Sequence, residues 1–152
     1  TSNGTAEWVF SVAHDKLHDC NNVAVANTCQ TYIYEPAPAI RAAGLSNSWA
    51  HQYQLTAIHR RFSYYTSNEQ LSPPGGSRFR VVEEMTFDRK QIKQWLRARH
   101  IGQLEIKKQG LPFSPSELRK QLQPYGNNQI TLIVLGATRS SQRAIAIMAE
   151  RE

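Results

Sequence analysis

The stretch LEIKKQGLPFSPSEL, residues 104–118, carries the side chains best suited to holding an anion. Lys107 and Lys108 leave a short alternating run, Gly110 lets a backbone approach closely, and Ser114 opens a helical pattern whose first amides lack partners inside the helix. Free amides, the positive end of a helix dipole and nearby ammonium groups are the ingredients of a phosphate site. Alternation sends Lys107 and Lys108 to opposite faces of a strand, so only one of them reaches such a site; Arg119 and Lys120 lie one turn into the helix. An edge-strand lysine beside an ordinary capped helix would use the same residues.

A second cationic set, Arg89, Lys93 and Arg97, is spaced i, i+4, i+8 along one predicted helix. Like charges at that spacing cost a few tenths of a kcal/mol per pair, so the stripe suits an anionic partner. Arg60 and Arg61 stand beside Phe62, Tyr64 and Tyr65 in a predicted strand over 55–65, an interleaving that suits stacked bases and equally suits a core. Tyr34-Glu35-Pro36, followed by Pro38 and Arg41, predicts a turn that presents a phenol and a carboxylate to a ligand, or a connection the prolines merely stiffen. His14, His18, Cys20 and Cys29 have neither a CxxC nor a carboxylate at metal-ligand spacing, so no metal is expected. The loop 68–77 contains SPPGG but no following Gly-Lys-Ser/Thr, and is not a phosphate loop.

The elements that must position the cations are written twice. FDRKQIKQWL and GQLEI, within 87–106, recur as FSPSELRKQL and NQITL, within 113–132, at a constant offset of 26 residues. Asp88 and Ser114 stand as caps, Gln91 and Glu117 as the reciprocal members of capping boxes, and Phe87 and Phe113 as staples onto Ile92 and Leu118. Each helix leads into an alternating strand, and Phe79–Met85 is a strand in front. The run ITLIVLGA should be the most buried, and Arg143–Met148 returns antiparallel after a turn at 138–142 carrying Arg139. The order strand, helix, strand, helix, strand, strand predicts an α+β fold whose helices cover a mixed sheet. Further strands are expected at Trp8–Val12 and Tyr32–Tyr34, with helices at Ala39–Ala43, ended by Gly44, and at Ser46–Tyr53.

Composition narrows the function. The chain has 152 residues, 40% hydrophobic and 20% charged, with two cysteines and no long apolar run, which fits a cytoplasmic setting and not a membrane span. Residues 1–87 hold six Lys or Arg against seven Asp or Glu, whereas residues 88–152 hold twelve against five, so the excess of the +6 chain lies wholly in the second part. Such a field favours polyanions, nucleic acid above all. No glycine-rich strand-to-helix turn followed by an acidic residue is present, nor an Asn-Pro-Pro-aromatic or cysteine motif, so the chain by itself is expected to lack catalytic activity.

YIYEPAPAIRAAGL, FRVVEEMTFDRKQIKQWL, LEIKKQGLPFSPSELRKQL and ITLIVLGATRSSQRAIAIMAER together resemble the C-terminal region of a bacterial class I S-adenosylmethionine-dependent methyltransferase family. The resemblance runs from Thr31 to Arg151, and family members commonly carry an acidic residue where this chain has Ala37. It implies residues 1–30 as an N-terminal strand and linker to an upstream catalytic domain that holds the S-adenosylmethionine. It further implies a small ferredoxin-like part at 31–77 and a THUMP-like βαβαββ domain at 78–152. THUMP domains help deliver RNA to a separate catalytic domain, so the resemblance implies transfer or ribosomal RNA as partner, with Lys107, Lys108, Gly110, Ser114, Arg119, Lys120, Arg89, Lys93 and Arg97 as the contact set. The alternatives are a module that packs on the catalytic domain or dimerises, and a role for Tyr34, Glu35 and Arg41 in completing the upstream active site.

Overall fold

The computed structural model describes residues 23–26, 28–137 and 143–152. The strand expected at Trp8–Val12, the residues His14, His18 and Cys20, and the turn carrying Arg139 lie outside the described residues. The chain divides into two compact units, Thr1–Arg78 and Phe79–Glu152.

In the first unit, β1 (Tyr32–Pro36) is followed by α1 (Pro38–Ala42) and α2 (Ser46–Gln52). The strand continues through Pro36, so the turn expected at Glu35 falls later, at Ala37. Gly44, at φ +70°, ends α1: its amide donates to the Arg41 carbonyl and that of Leu45 to the Ile40 carbonyl, the pattern of a left-handed helix stop. The single strand expected over 55–65 does not form. Instead β2 (Thr56–Ala57) and β3 (Tyr65–Ser67) pair antiparallel, giving the order β2-β3-β1. The Ile58 amide donates to the Tyr64 carbonyl, and between them His59 folds onto Phe62 with ring centroids 4.6 Å apart. Tyr34, Ile40, Trp49, Ala50, Leu55, Ala57 and Tyr65 form the core of this unit.

The second unit comprises most of β4 (Gly76–Thr86), then α3 (Arg89–Ala98), β5 (Ile101–Gln109), α4 (Pro115–Leu122), β6 (Asn128–Leu135) and β7 (Ile145–Arg151). The predicted βαβαββ order is present. The strands lie in the order β4-β7-β6-β5, with β5 and β6 parallel and β7 antiparallel to both its neighbours. Ile92, Trp95 and Leu96 of α3 and Leu118 and Leu122 of α4 pack on Leu104, Ile106, Ile130, Leu132, Val134, Ala146 and Met148. Those sheet residues alternate along their strands, so both helices cover one face. From Ile130 to Leu135 every β6 residue is buried, as its unbroken apolar run demands.

The offset of 26 residues becomes a spatial translation. From Gln103–Gln129 to Gln109–Leu135, every Cα pair of the parallel β5–β6 ladder joins residues 26 apart, with Leu104 beside Ile130 and Ile106 beside Leu132. The same shift stacks Phe87 on Phe113, ring centroids 5.6 Å apart and planes inclined by 20°. Both expected caps are present: Asp88 accepts from the Gln91 amide at 3.0 Å, and Ser114 and Glu117 close a reciprocal capping box, whereas at α3 only the Asp88 half of the expected box is made.

Candidate functional site

The expected phosphate site at the start of α4 is already furnished by the protein. Ser114 Oγ accepts from the Glu117 amide at 3.1 Å, and the Glu117 carboxylate accepts from the Ser114 amide at 3.4 Å, so an internal anion stands at the helix start. Gly110 has φ +73°, and the close approach it permits is made by Gly136, whose position a Cβ would bring to 2.0 Å from the Gly110 carbonyl oxygen. Lys108 Nζ donates to the Leu111 carbonyl at 3.0 Å, which ties the β5–α4 connection to the strand.

Lys107 points to the face opposite the helices, as alternation requires. Its Nζ is 3.5 Å from Glu105 Oε1, which Arg151 Nη2 also reaches at 2.9 Å, while Thr131 Oγ1 donates to the other carboxylate oxygen at 3.2 Å. Burial acts to raise the Glu105 pKa, but the hydrogen bond and charge of Arg151, the charge of Lys107 and the Thr131 hydroxyl outweigh it and hold the group below the usual carboxylate value. Lys107 and Arg151 also flank the Phe79 ring, at 5.9 and 4.8 Å from its centroid. Lys107 and Lys108 therefore do not converge.

The helix layer is different. Arg89 lies over both stacked rings, 5.1 Å from the centroid of Phe87 and 4.9 Å from that of Phe113, and its Nε donates to Gln121. Lys93 Nζ donates to Gln123 Oε1 at 2.8 Å. Two members of the i, i+4 stripe thus join α3 to α4, while Lys90, Arg97, Arg119 and Lys120 are exposed. The only carboxylates in this layer, Asp88 and Glu117, sit at the helix starts and are engaged in capping. Among the described residues, none of Arg89, Lys90, Lys93, Arg97, Arg119 and Lys120 lies within ion-pair distance of a carboxylate, whereas Arg80, Arg99, Lys107 and Arg151 are all paired. Arg99 pairs with Glu83 at 3.8 Å and lies 4.0 Å above the centroid of the Trp95 ring, whose Nε1 donates to the same Glu83.

Where α3 and α4 finish and β5 and β6 begin, two open cavities adjoin. One, of about 1080 Å³, is lined among others by Trp95, Arg99, Arg119 and Arg151 and by the carboxylates of Glu105 and Glu150; the other, of about 600 Å³, by His100, Pro124, Tyr125 and Asn127; Gly102 and Asn128 line both. Tyr125 is 87% exposed, about twice as much as Val25 and Val82, the other exposed large apolar side chains among the described residues. The sequence signal for Tyr125 is a tyrosine between proline and glycine with no apolar periodicity around it.

The first unit offers little to a ligand at the predicted turn. Tyr34 is fully buried; its hydroxyl donates to the Glu69 carbonyl at 2.6 Å and accepts from the Leu71 amide at 2.9 Å. Glu35 is 8% exposed, and the buried Nε of Arg41 has no hydrogen-bond partner. Arg60 and Arg61 are exposed at the β2–β3 hairpin, but the tyrosines expected to interleave with them, Tyr64 and Tyr65, are buried. Cys29 is half-buried, and no cluster of three His, Cys, Asp or Glu occurs among the described residues. No helix there is long and apolar enough to cross a membrane.

A βαβαββ order with both helices on one face of a mixed sheet is the architecture of a THUMP-like α+β domain. Residues 76–151 match the family model described as THUMP domain-like, and the chain belongs to that family. It is similar to two uncharacterized S-adenosylmethionine-dependent methyltransferases of Mycobacterium tuberculosis, from strains CDC 1551 and H37Rv, at 26% identity over 123 residues. The match takes in 81% of this chain and 33% of theirs, so the chain spans about a third of the length of those relatives. A crystal structure of a candidate methyltransferase from Porphyromonas gingivalis W83 superposes with TM-score 0.79 at 23% identity, over 99% of this chain and 37% of that one, and shares the fold. The expected resemblance to a methyltransferase-associated region therefore holds.

The starts of α3 and α4 do not fit a nucleotide-type cofactor such as S-adenosylmethionine. These two strand-to-helix turns are occupied by the stacked Phe87 and Phe113 rings beneath Arg89, and neither has a glycine-rich cradle.

Proposed function

We propose that this chain is the non-catalytic, RNA-positioning region of an S-adenosylmethionine-dependent methyltransferase, whose cofactor and chemistry belong to a catalytic domain elsewhere in a cytoplasmic parent protein. On this reading residues 1–30 connect to that domain, 31–77 form the small ferredoxin-like part, and 78–152 meet the RNA, a transfer or ribosomal species. The observation that carries the reading is the helix layer: Arg89, Lys90, Lys93, Arg97, Arg119 and Lys120 without carboxylate partners, whereas the sheet cations Arg80, Lys107 and Arg151 are each paired with one. Cations left uncompensated on one surface attract a polyanion and position it without reading its sequence. Lys107, whose charge is met by Glu105, contributes less than the helix cations; Lys108 is held at the Leu111 carbonyl, and Gly110 and Ser114 serve to build the turn.

Titration of the chain with labelled transfer RNA and ribosomal RNA fragments at low and at physiological salt tests this. Binding that weakens steeply with salt is expected. A folded chain that leaves both RNAs unbound at the lowest salt would move the weight to a module that packs on the catalytic domain.

A further inference from the structure

We infer that the end of the second unit where both helices finish is a seat for an unpaired nucleotide, with Tyr125 as the stacking surface. The inference rests on the RNA reading above and names the form of RNA this surface takes.

An 87% exposed tyrosine is a large apolar area left in water, and here it stands on a connection that is otherwise held rigid. Gly126, at φ +141°, lies so close to the α3–β5 connection that a Cβ there would come within 2.1 Å of the His100 carbonyl oxygen; a Cβ on Gly102 would come within 1.9 Å of the Gly126 carbonyl oxygen. The Asn128 amide donates to the His100 carbonyl and its side-chain Nδ2 to the Arg99 carbonyl, both at 2.9 Å. His100 and Gln123 hold left-handed conformations, at φ +54° and +50°, immediately after the two helices. The two connections are thus clamped to each other, and Tyr125 projects from a fixed base.

The chemistry around it fits a nucleotide. The 600 Å³ cavity that Tyr125 lines also presents His100 and Asn127, whose ring nitrogens and amide offer donors and acceptors to a base edge. It adjoins, through Gly102 and Asn128, the cavity lined by Arg119. Arg97, Arg119 and Lys120 lie in the last turns of α3 and α4, the ends nearest these connections, and bring positive charge for the phosphates. A ring face, polar edge groups and adjoining unpaired cations are what a splayed base requires, whereas a continuous duplex keeps its base faces stacked away from any side chain.

The test uses an unstructured RNA oligonucleotide with 2-aminopurine at one position, and a blunt duplex of the same sequence, titrated with the chain and with Tyr125→Ala and Tyr125→Phe at equal salt. Loss of one stack in Tyr125→Ala is expected to weaken single-strand binding about 5- to 100-fold, with an unchanged melting temperature and loss of the 2-aminopurine quench. Tyr125→Phe should retain both binding and quench, and duplex binding should be indifferent to either change. RNA binding by the wild type that Tyr125→Ala leaves intact would overturn the seat while the RNA reading stands. A wild type that binds neither RNA at low salt overturns both.

Discussion

Replacing Phe87 and Phe113 by leucine, singly and together, probes whether the two copies of the sequence repeat support one another. The rings are stacked at 5.6 Å, both are half-buried against the helix core, and Arg89 covers both. Leucine keeps most of the burial, so each single change loses up to about 1 kcal/mol of packing, about 1 kcal/mol of ring–ring attraction and about 0.5 kcal/mol of cation–ring attraction at an exposed arginine. Each single variant should therefore be less stable by about 2 kcal/mol. The double variant loses the ring–ring contribution only once, so the cycle should fall short of additivity by about 0.5–1.5 kcal/mol, the arginine contributions cancelling. Urea denaturation of the four proteins measures it, with thermal midpoints separating by about 2–4 °C per kcal/mol for a chain of this size. Additivity within about 0.3 kcal/mol would refute the stacking and, with it, the account of the repeat as a translation that joins α3 to α4.

Three further outcomes follow from particular contacts. Gly126→Ala should destabilise by more than about 3 kcal/mol, since it combines a backbone clash at 2.1 Å with φ +141°, whereas Gly44→Ala, with nothing within 4 Å, should cost only the left-handed penalty of about 1–2 kcal/mol; chemical denaturation compares them. Ser114→Ala removes the cap and half of the reciprocal box and should cost about 1 kcal/mol by the same measurement. Burial pushes the Tyr65 phenol up to about 12, against a smaller opposing effect of the Ser46 hydrogen bond. The unfolded chain ionises first, so stability should be intact below pH 10.0 and fall by about 2–3 kcal/mol as pH rises towards 12, a slope that Tyr65→Phe abolishes in pH-dependent unfolding.

The second unit was largely legible because its signals are local and agree with one another. Caps at Asp88 and Ser114, apolar alternation in β5 and the unbroken run of β6 each specify one element, and the repeat offset even coincides with the ladder register. What the sequence could not disclose depends on which partner each charge finds. Lys107 and Lys108 look alike in sequence, yet one meets Glu105 two residues back on the same strand and the other the Leu111 carbonyl three residues on. Arg89 and Lys93 reach glutamines 32 and 30 residues away. The segment 55–65 misled because Arg60 and Arg61 continue a strand-like composition through a hairpin that the Ile58–Tyr64 hydrogen bond closes. Tyr34 looked like a ligand group because only the fold reveals that Glu69 and Leu71 already satisfy its hydroxyl.

The central claim is that cations of the helix layer, and not those of the sheet, hold RNA. Its most direct test is the salt dependence of RNA affinity for the wild type, for Arg97→Gln/Arg119→Gln/Lys120→Gln, and for Lys107→Gln, with melting temperatures alongside. Glutamine keeps helix propensity while removing the charge. At about 0.7 released counterions per single-strand phosphate contact, the triple variant should flatten the slope of log affinity against log salt by about 2, whereas Lys107→Gln should change it by well under 0.7. Equal slopes for the wild type and the triple variant would contradict the account, as would a larger loss from Lys107→Gln.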